Sequence, residues 1–220
     1  MKFDVILGVF LVSAIASTTS AQVRPPATAA RPTDAPALSL RPFFVYAGEQ
    51  FTAHETFDTV FGEPFQSLYG GGLQLAFASG FYVDVTASRF KKTGQRAFFF
   101  EGQGFPLGIP LTATLTPFEV SAGARLRASA RFFPYVGAGV GTYRYKESSE
   151  FDDGADFDKR HVGYLIVGGA EFRLSRWVAV SGDLQFTRVP GILGEGGISK
   201  ETGETDLGGT AGRFRIIIGR

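Results

Sequence analysis

The chain has 220 residues, with 22 Lys and Arg against 21 Asp and Glu; at a net charge of +1 no basic surplus points to nucleic acid. It contains no cysteine, which excludes a disulfide framework, a thiolate metal site and a lipid-modified N-terminal cysteine. It is rich in glycine (29) and phenylalanine (23), yet beyond its first residues no stretch is long and apolar enough for a transmembrane helix.

Residues 1–21 read as a signal peptide. Lys2 precedes an apolar run from Val5 to Ile15, and Thr19-Ser20-Ala21 fits a small-x-small cleavage site, which makes Gln22 the expected mature N-terminus. Asp4 weakens the basic start, but the run is shorter than the roughly 20 residues that a membrane anchor needs. Residues 22–37, QVRPPATAARPTDAPA, hold too little apolar surface to bury a core and read as an extended periplasmic tail.

From residue 38 onward the pattern is β. Eight strands are expected, at about 39–53, 71–78, 81–91, 111–126, 132–146, 160–174, 177–189 and 208–219. Ser79-Gly80 and Ser175-Arg176 read as tight turns, and a short link around Arg127 to Arg131 joins the fourth strand to the fifth. Long connections alternate with these: HETFDTVFGEPFQSLYG, a segment with Phe98, Phe99 and Phe100 followed by EGQGFPLGIP, the acidic ESSEFDDGADFD, and PGILGEGGISKETGETD. Alternation of short and long links, with both chain ends on the short-turn side, predicts the fold class: all-β, an eight-stranded antiparallel up-and-down transmembrane β-barrel over 38–220, with short periplasmic turns and long external loops. A lipocalin-like soluble barrel shares the strand count, but has no reason to put Phe, Tyr and Leu on its outer face.

The faces follow from cost. In the eighth strand Arg213 and Arg215 flank Phe214, and an arginine in hydrocarbon costs roughly 2–4 kcal/mol near the midplane. The arginines therefore point inward, and Phe214, Ile216 and Ile218 outward. The same parity puts Phe81, Val83, Val85 and Ala87 outward in the third strand, and Phe118, Val120, Ala122, Ala124 and Leu126 outward in the fourth. The expected inward set holds four acids, Asp84, Glu119, Glu171 and Asp183, and four arginines, Arg125, Arg173, Arg213 and Arg215. An eight-stranded barrel is only wide enough to be filled by side chains, so the expectation is a structural salt-bridge network that plugs the lumen rather than an ion path. Tyr135, Tyr143, Tyr145, Tyr164, Trp177 and Phe186 are expected as interfacial aromatic belts, and Gly137, Gly139 and Gly141 mark close backbone approach or bending.

With its strands placed, the chain resembles the small outer-membrane β-barrel family typified by the OmpA and OmpX barrels. The resemblance covers about 38–220, and PYVGAGVGTYRY and VGYLIVGGAEFRL are similar to strand sequences common in such barrels. It implies a monomer in the cell outer membrane of a Gram-negative envelope. The implied contacts are outer-membrane lipids, lipopolysaccharide and the outer-membrane assembly machinery. The chain departs from the usual terminal aromatic by ending IIIGR, so the outward residues Phe214 to Ile218 would carry the insertion signal.

Two barrel enzymes of that membrane set the alternative. A lipid A palmitoyltransferase places His, Asp and Ser near its external rim, where this chain has His54, Asp58 and Ser67 in its first long connection. A lipid A deacylase uses His-x-Ser, which neither His54-Glu55-Thr56 nor His161-Val162-Gly163 matches. His161 has Asp156 and Asp158 nearby in sequence, but two histidines among several loop acids often imitate a site. Glu150, Asp152, Asp153, Asp156 and Asp158 lack the spacing of an EF-hand loop. The expectation is a non-enzymatic barrel without catalytic residues, metal or cofactor, acting as a structural or surface-interaction protein through its external loops.

Overall fold

The computed structural model describes residues 38–63, 65–100, 103–149, 157–194 and 203–219. The signal peptide and Pro/Ala-rich tail expected over 1–37 lie outside them. Eight strands, β1 (Leu38–Phe51), β2 (Phe65–Phe77), β3 (Phe81–Phe100), β4 (Gln103–Arg125), β5 (Phe132–Ser149), β6 (Phe157–Arg173), β7 (Val178–Val189) and β8 (Leu207–Ile218), pair in sequence order into a closed barrel. Every pairing is antiparallel, and β1 closes on β8.

The register can be walked round the wall. Arg41 pairs with Gln74, then Asp84, Ser121, Gly139, Leu165, Thr187 and Gly209, and Gly209 pairs with Phe51. One circuit thus returns to β1 ten residues further along. That stagger over eight strands tilts them by about 40° from the barrel axis.

The short turns are built as the sequence suggests. Gly80 has φ 93°, and a Cβ there would sit 2.8 Å from the Arg125 carbonyl oxygen, so the turn from β2 to β3 needs glycine. At the other two turns a serine hydroxyl accepts backbone N–H groups: Ser129 from Arg131 and Phe132 (3.2 and 3.0 Å), Ser175 from Trp177 and Val178 (both 3.1 Å).

Side-chain parity along each strand matches the expected faces. Outward residues are exposed and apolar: Phe44 is 67% exposed, Leu184 67%, Val136 65% and Ile166 59%. Phe77, Phe81, Phe132 and Trp177 lie toward the turn end of this wall, and Tyr46, Tyr69, Tyr164 and Phe186 toward the loop end. Inward residues are buried whether apolar or charged.

The structure departs from expectation at the loop end. β2 starts at Phe65, six residues before the expected position, so FQSLYG is strand. The segment expected as a long loop between the third and fourth strands is mostly a paired hairpin: β3 runs 20 residues and β4 23, against the roughly 9–11 that cross a bilayer. Their pairing reaches Phe100 and Gln103, with one register shift between Gln95 and Ala97.

The first long connection contains a helix, α1 (His54–Phe61), ended by Gly62 in the left-handed region at φ 74°, whose N–H donates to the Asp58 carbonyl at 2.7 Å. Eight residues make a marginal helix by themselves. Two outside supports hold this one. Phe57 is fully buried and stacks on Phe51 with ring centroids 4.2 Å apart. Glu204, from the loop before β8, accepts the free N–H groups of Glu55 (3.2 Å) and Thr56 (2.8 Å) at its N-terminus.

Candidate functional site

The lumen is where the sequence placed its candidate residues, and it divides into two layers. The layer toward the turns is ionic. Glu171 is at its centre on one side: Arg41 donates to both carboxylate oxygens (2.7 and 3.0 Å), and Arg125 donates to Oε2 at 3.0 Å. Arg41 also donates to Gln74 Oε1 at 2.9 Å. A second chain of contacts runs from Glu119 to Asp84. Arg213 donates through Nε to Asp183 Oδ1 (2.5 Å) and through Nη1 to Gln185, and lies 3.9 Å from Glu119. Arg215 donates to Asp84 Oδ2 (2.8 Å), Ser181 Oγ (3.0 Å) and Tyr135 Oη (2.5 Å), and its Nε lies 3.1 Å from Asp183 Oδ2. The Tyr135 hydroxyl in turn donates to Asp183 at 2.5 Å. Charge-assisted contacts of this kind are among the stronger hydrogen bonds, and buried charges need them.

Seven of the eight expected residues therefore lie in ion pairs, in two groups. Arg173 does not; its guanidinium lies over the Phe133 ring at 4.9 Å, with Arg125 over the same ring at 5.1 Å. Sequence reasoning missed Arg41. Its signal was the parity opposite to that of the outward Leu38, Leu40 and Phe44, but Phe43 and Val45 put apolar side chains on the same inner face of β1 and blurred the alternation.

The tyrosines of β5 correct the expected belts. Tyr164, Trp177 and Phe186 are on the outer wall, but Tyr135, Tyr143 and Tyr145 are 7%, 3% and 2% exposed and point into the lumen. They share parity with Gly137, Gly139 and Gly141, and each hydroxyl donates to a carboxylate: Tyr135 to Asp183, Tyr143 to Glu119 (2.7 Å) and Tyr145 to Glu147 (2.8 Å). The glycines make room for this. A Cβ on Gly137 would collide with the Tyr82 hydroxyl, and one on Gly141 would meet Glu119 Cγ at 3.0 Å and the Tyr143 ring at 3.1 Å.

The layer toward the loops is apolar and was not foreseen. Phe51, Phe57, Phe90, Leu115, Ile192, Leu193 and Leu207 form one buried cluster together with Val189 and the Tyr143 and Tyr145 rings. α1 and the segment after β7 fold into the barrel mouth to build it, and the Leu193 N–H donates to the Thr205 carbonyl at 3.0 Å. Between the layers is a cavity of about 30 Å³ whose lining includes Glu49, Glu119, Tyr143, Gln185 and Arg213. That is room for roughly two waters.

The candidate catalytic groups do not converge. His54 Nδ1 lies 3.0 Å from the Thr52 carbonyl and 3.8 Å from Glu204, while Ser67 Oγ is hydrogen-bonded to Tyr46 Oη at 2.8 Å on the outer wall. Asp158 is held by two bonds from Arg144, at 2.9 and 2.5 Å. Asp156 and the acids Glu150, Asp152 and Asp153 lie outside the described residues.

No family model and no curated protein matches the chain. Among solved structures, the barrel is similar to Ail, the attachment invasion locus protein of Yersinia pestis, in complex with the heparin analogue sucrose octasulfate (TM-score 0.48, 11% identity, 82% of this chain and 97% of that chain). It is similar to Neisserial surface protein A (TM-score 0.49, 11% identity, 82% and 97%) and to the N-terminal β-barrel domain of Pseudomonas aeruginosa OprF (TM-score 0.45, 10% identity, 82% and 97%).

Proposed function

We propose that this chain is an integral outer-membrane barrel of the OmpA/OmpX type, monomeric and closed to solutes, with a structural or surface-interaction role carried by its loop end. The observation that carries this reading is the inversion of polarity across the wall: exposed Phe, Leu, Val and Ile outside, paired arginines and carboxylates inside. Such a wall suits lipid, where every backbone polar group must be satisfied by a closed sheet. A soluble ligand-binding barrel fits less well. Small-molecule pockets run to roughly 300–1,000 Å³, whereas the cavity between the two lumenal layers is about 30 Å³. The same filling argues against a channel, because both layers stand across the lumen.

Fractionation tests the membrane reading. Recovery of the mature chain in the soluble periplasmic fraction, without detergent, overturns it. Purified monomer in planar bilayers should show no large, stable conductance steps, and reproducible steps overturn the closed lumen. Lipid A from cells with and without the protein should have the same acyl chains by mass spectrometry. A gained or lost chain that His54→Ala or His161→Ala abolishes would make the barrel an enzyme.

A further inference from the structure

The cavity between the two lumenal layers has a charged wall that neither layer satisfies. Glu49, on the inner face of β1, is 8% exposed and lines that cavity. Among the described residues, none donates a hydrogen bond to its carboxylate and no cation lies within ion-pairing distance of it. Burying a carboxylate without a partner is costly.

The charge around Glu49 adds to that cost. The contact chain from Glu119 to Asp84 shares the guanidinium groups of Arg213 and Arg215 among the carboxylates of Glu119, Asp183 and Asp84. It already holds one negative charge in excess, and Glu49 adds a second on its loop side. Arg213 is committed to Asp183 at 2.5 Å. Glu119 is half engaged. Its Oε1 accepts from Tyr143 (2.7 Å) and Gln185 (3.0 Å), whereas its Oε2 accepts no hydrogen bond from a described residue and lies 3.9 Å from Arg213. Thr86 and Ser88 line the same cavity, and their hydroxyls make no hydrogen bond with a described residue.

We infer that this cavity binds a calcium-sized divalent cation between Glu49 and Glu119. Glu49, the Glu119 Oε2 atom, the two hydroxyls and one or two waters supply roughly the six to eight oxygens that calcium takes. The volume of about 30 Å³ suits a bare ion with a water beside it. It does not suit magnesium, which sheds its water shell reluctantly. A monovalent ion would leave half of the excess charge in place. Bound there, a divalent cation cancels that charge and ties β1 to β4 below the apolar layer. The site lies inside the barrel, so it does not depend on what the outer wall faces.

The test refolds the full chain into phosphatidylcholine vesicles with calcium chloride or with EGTA. It reads the urea midpoint and the tyrosine-sensitised emission of terbium, for which the Tyr143 ring on the cavity wall is a donor. Calcium should raise the wild-type midpoint, and terbium should emit until calcium displaces it. Glu49→Gln removes one charge and breaks no ion pair, so it should fold. It should bind terbium at least about tenfold more weakly, and calcium should not move its midpoint. A wild-type midpoint indifferent to calcium overturns the site and means that a proton neutralises Glu49 instead. Equal terbium affinity in wild type and Glu49→Gln overturns it as well. So does loss of the terbium signal in Asp152→Asn/Asp153→Asn, which alters the acidic loop and leaves Glu49 in place.

Discussion

The two layers of the lumen fill the same narrow space by opposite means. The turn-side layer is made of ion pairs whose members come from distant strands, such as Arg41 of β1 with Glu171 of β6 and Arg215 of β8 with Asp84 of β3. The loop-side layer is made of phenylalanine, leucine and isoleucine from strand ends and from segments folded back into the mouth. The first kind of filling is sensitive to the loss of any single partner, because the remaining charge is stranded without water. The second is sensitive to volume alone, and part of it sits on a short helix and a loop that have freedom to settle. The turn-side layer should therefore hold the barrel's global stability, and the loop-side layer should open first.

Glu171→Ala should break that contrast most strongly. It leaves the Arg41 and Arg125 guanidinium groups without their shared carboxylate and should lower stability by about 3–5 kcal/mol, read as a fall in the urea midpoint of the barrel in lipid vesicles. An unchanged midpoint would mean that the ionic layer does not carry stability. Phe57→Ala should cost no more, about 3 kcal/mol, the low end for a buried phenylalanine, because α1 can partly close the space that the ring leaves. Its clearer sign should be faster amide exchange in α1 and in the segment around Ile192, with the strands protected as before. Glu204→Ala removes the acceptor for two N–H groups of α1 and should cost about 1 kcal/mol, again confined to the loop side by amide exchange.

Asp206 should give the smallest effect. Partial desolvation acts to raise its pKa, but hydrogen bonds from Arg188 and from the Gly191 N–H outweigh it and hold the carboxyl below its usual range. A carboxyl whose folded pKa is depressed adds stability above its unfolded value, near 3.9, and that stability is lost as pH falls through the lower folded value. Asp206→Asn should thus lower stability by less than about 1 kcal/mol at pH 6. The difference from wild type should shrink in urea titrations as pH falls through that lowered value.

Strand positions and faces were legible because the side-chain period of two is written along every strand that crosses the wall, and Arg213, Phe214 and Arg215 fix its direction. Most of the ionic layer followed from the same parity. The apolar layer did not, because its residues lie in segments without that period. Thr56, Phe57, Val60 and Phe61 do carry helical spacing, but over only eight residues, and Glu204, which caps the helix, is far away in sequence. The β5 tyrosines were misplaced because tyrosine suits both a membrane interface and a lumenal carboxylate. Their parity with Gly137, Gly139 and Gly141 was the deciding signal. The length of the hairpin from β3 to β4 was hidden by Pro106, Gly108 and Pro110, which read as loop residues.

The register circuit that climbs ten residues from Arg41 to Phe51 has a mechanical result. β1 and β8, the first and last strands to be synthesised, meet along a single seam, and each sends an arginine across the bore to a strand far from that seam, Arg41 to β6 and Arg215 to β3. These two ties act like crossed spokes in a wheel. If the seam slips by two residues, the backbone still finds partners, but both spokes miss their anchors. Closure in the wrong register therefore takes Arg41 from Glu171 and Arg215 from Asp84, although Arg215 keeps Asp183 of its neighbour β7, and the interior chemistry proofreads the last joint made in the wall.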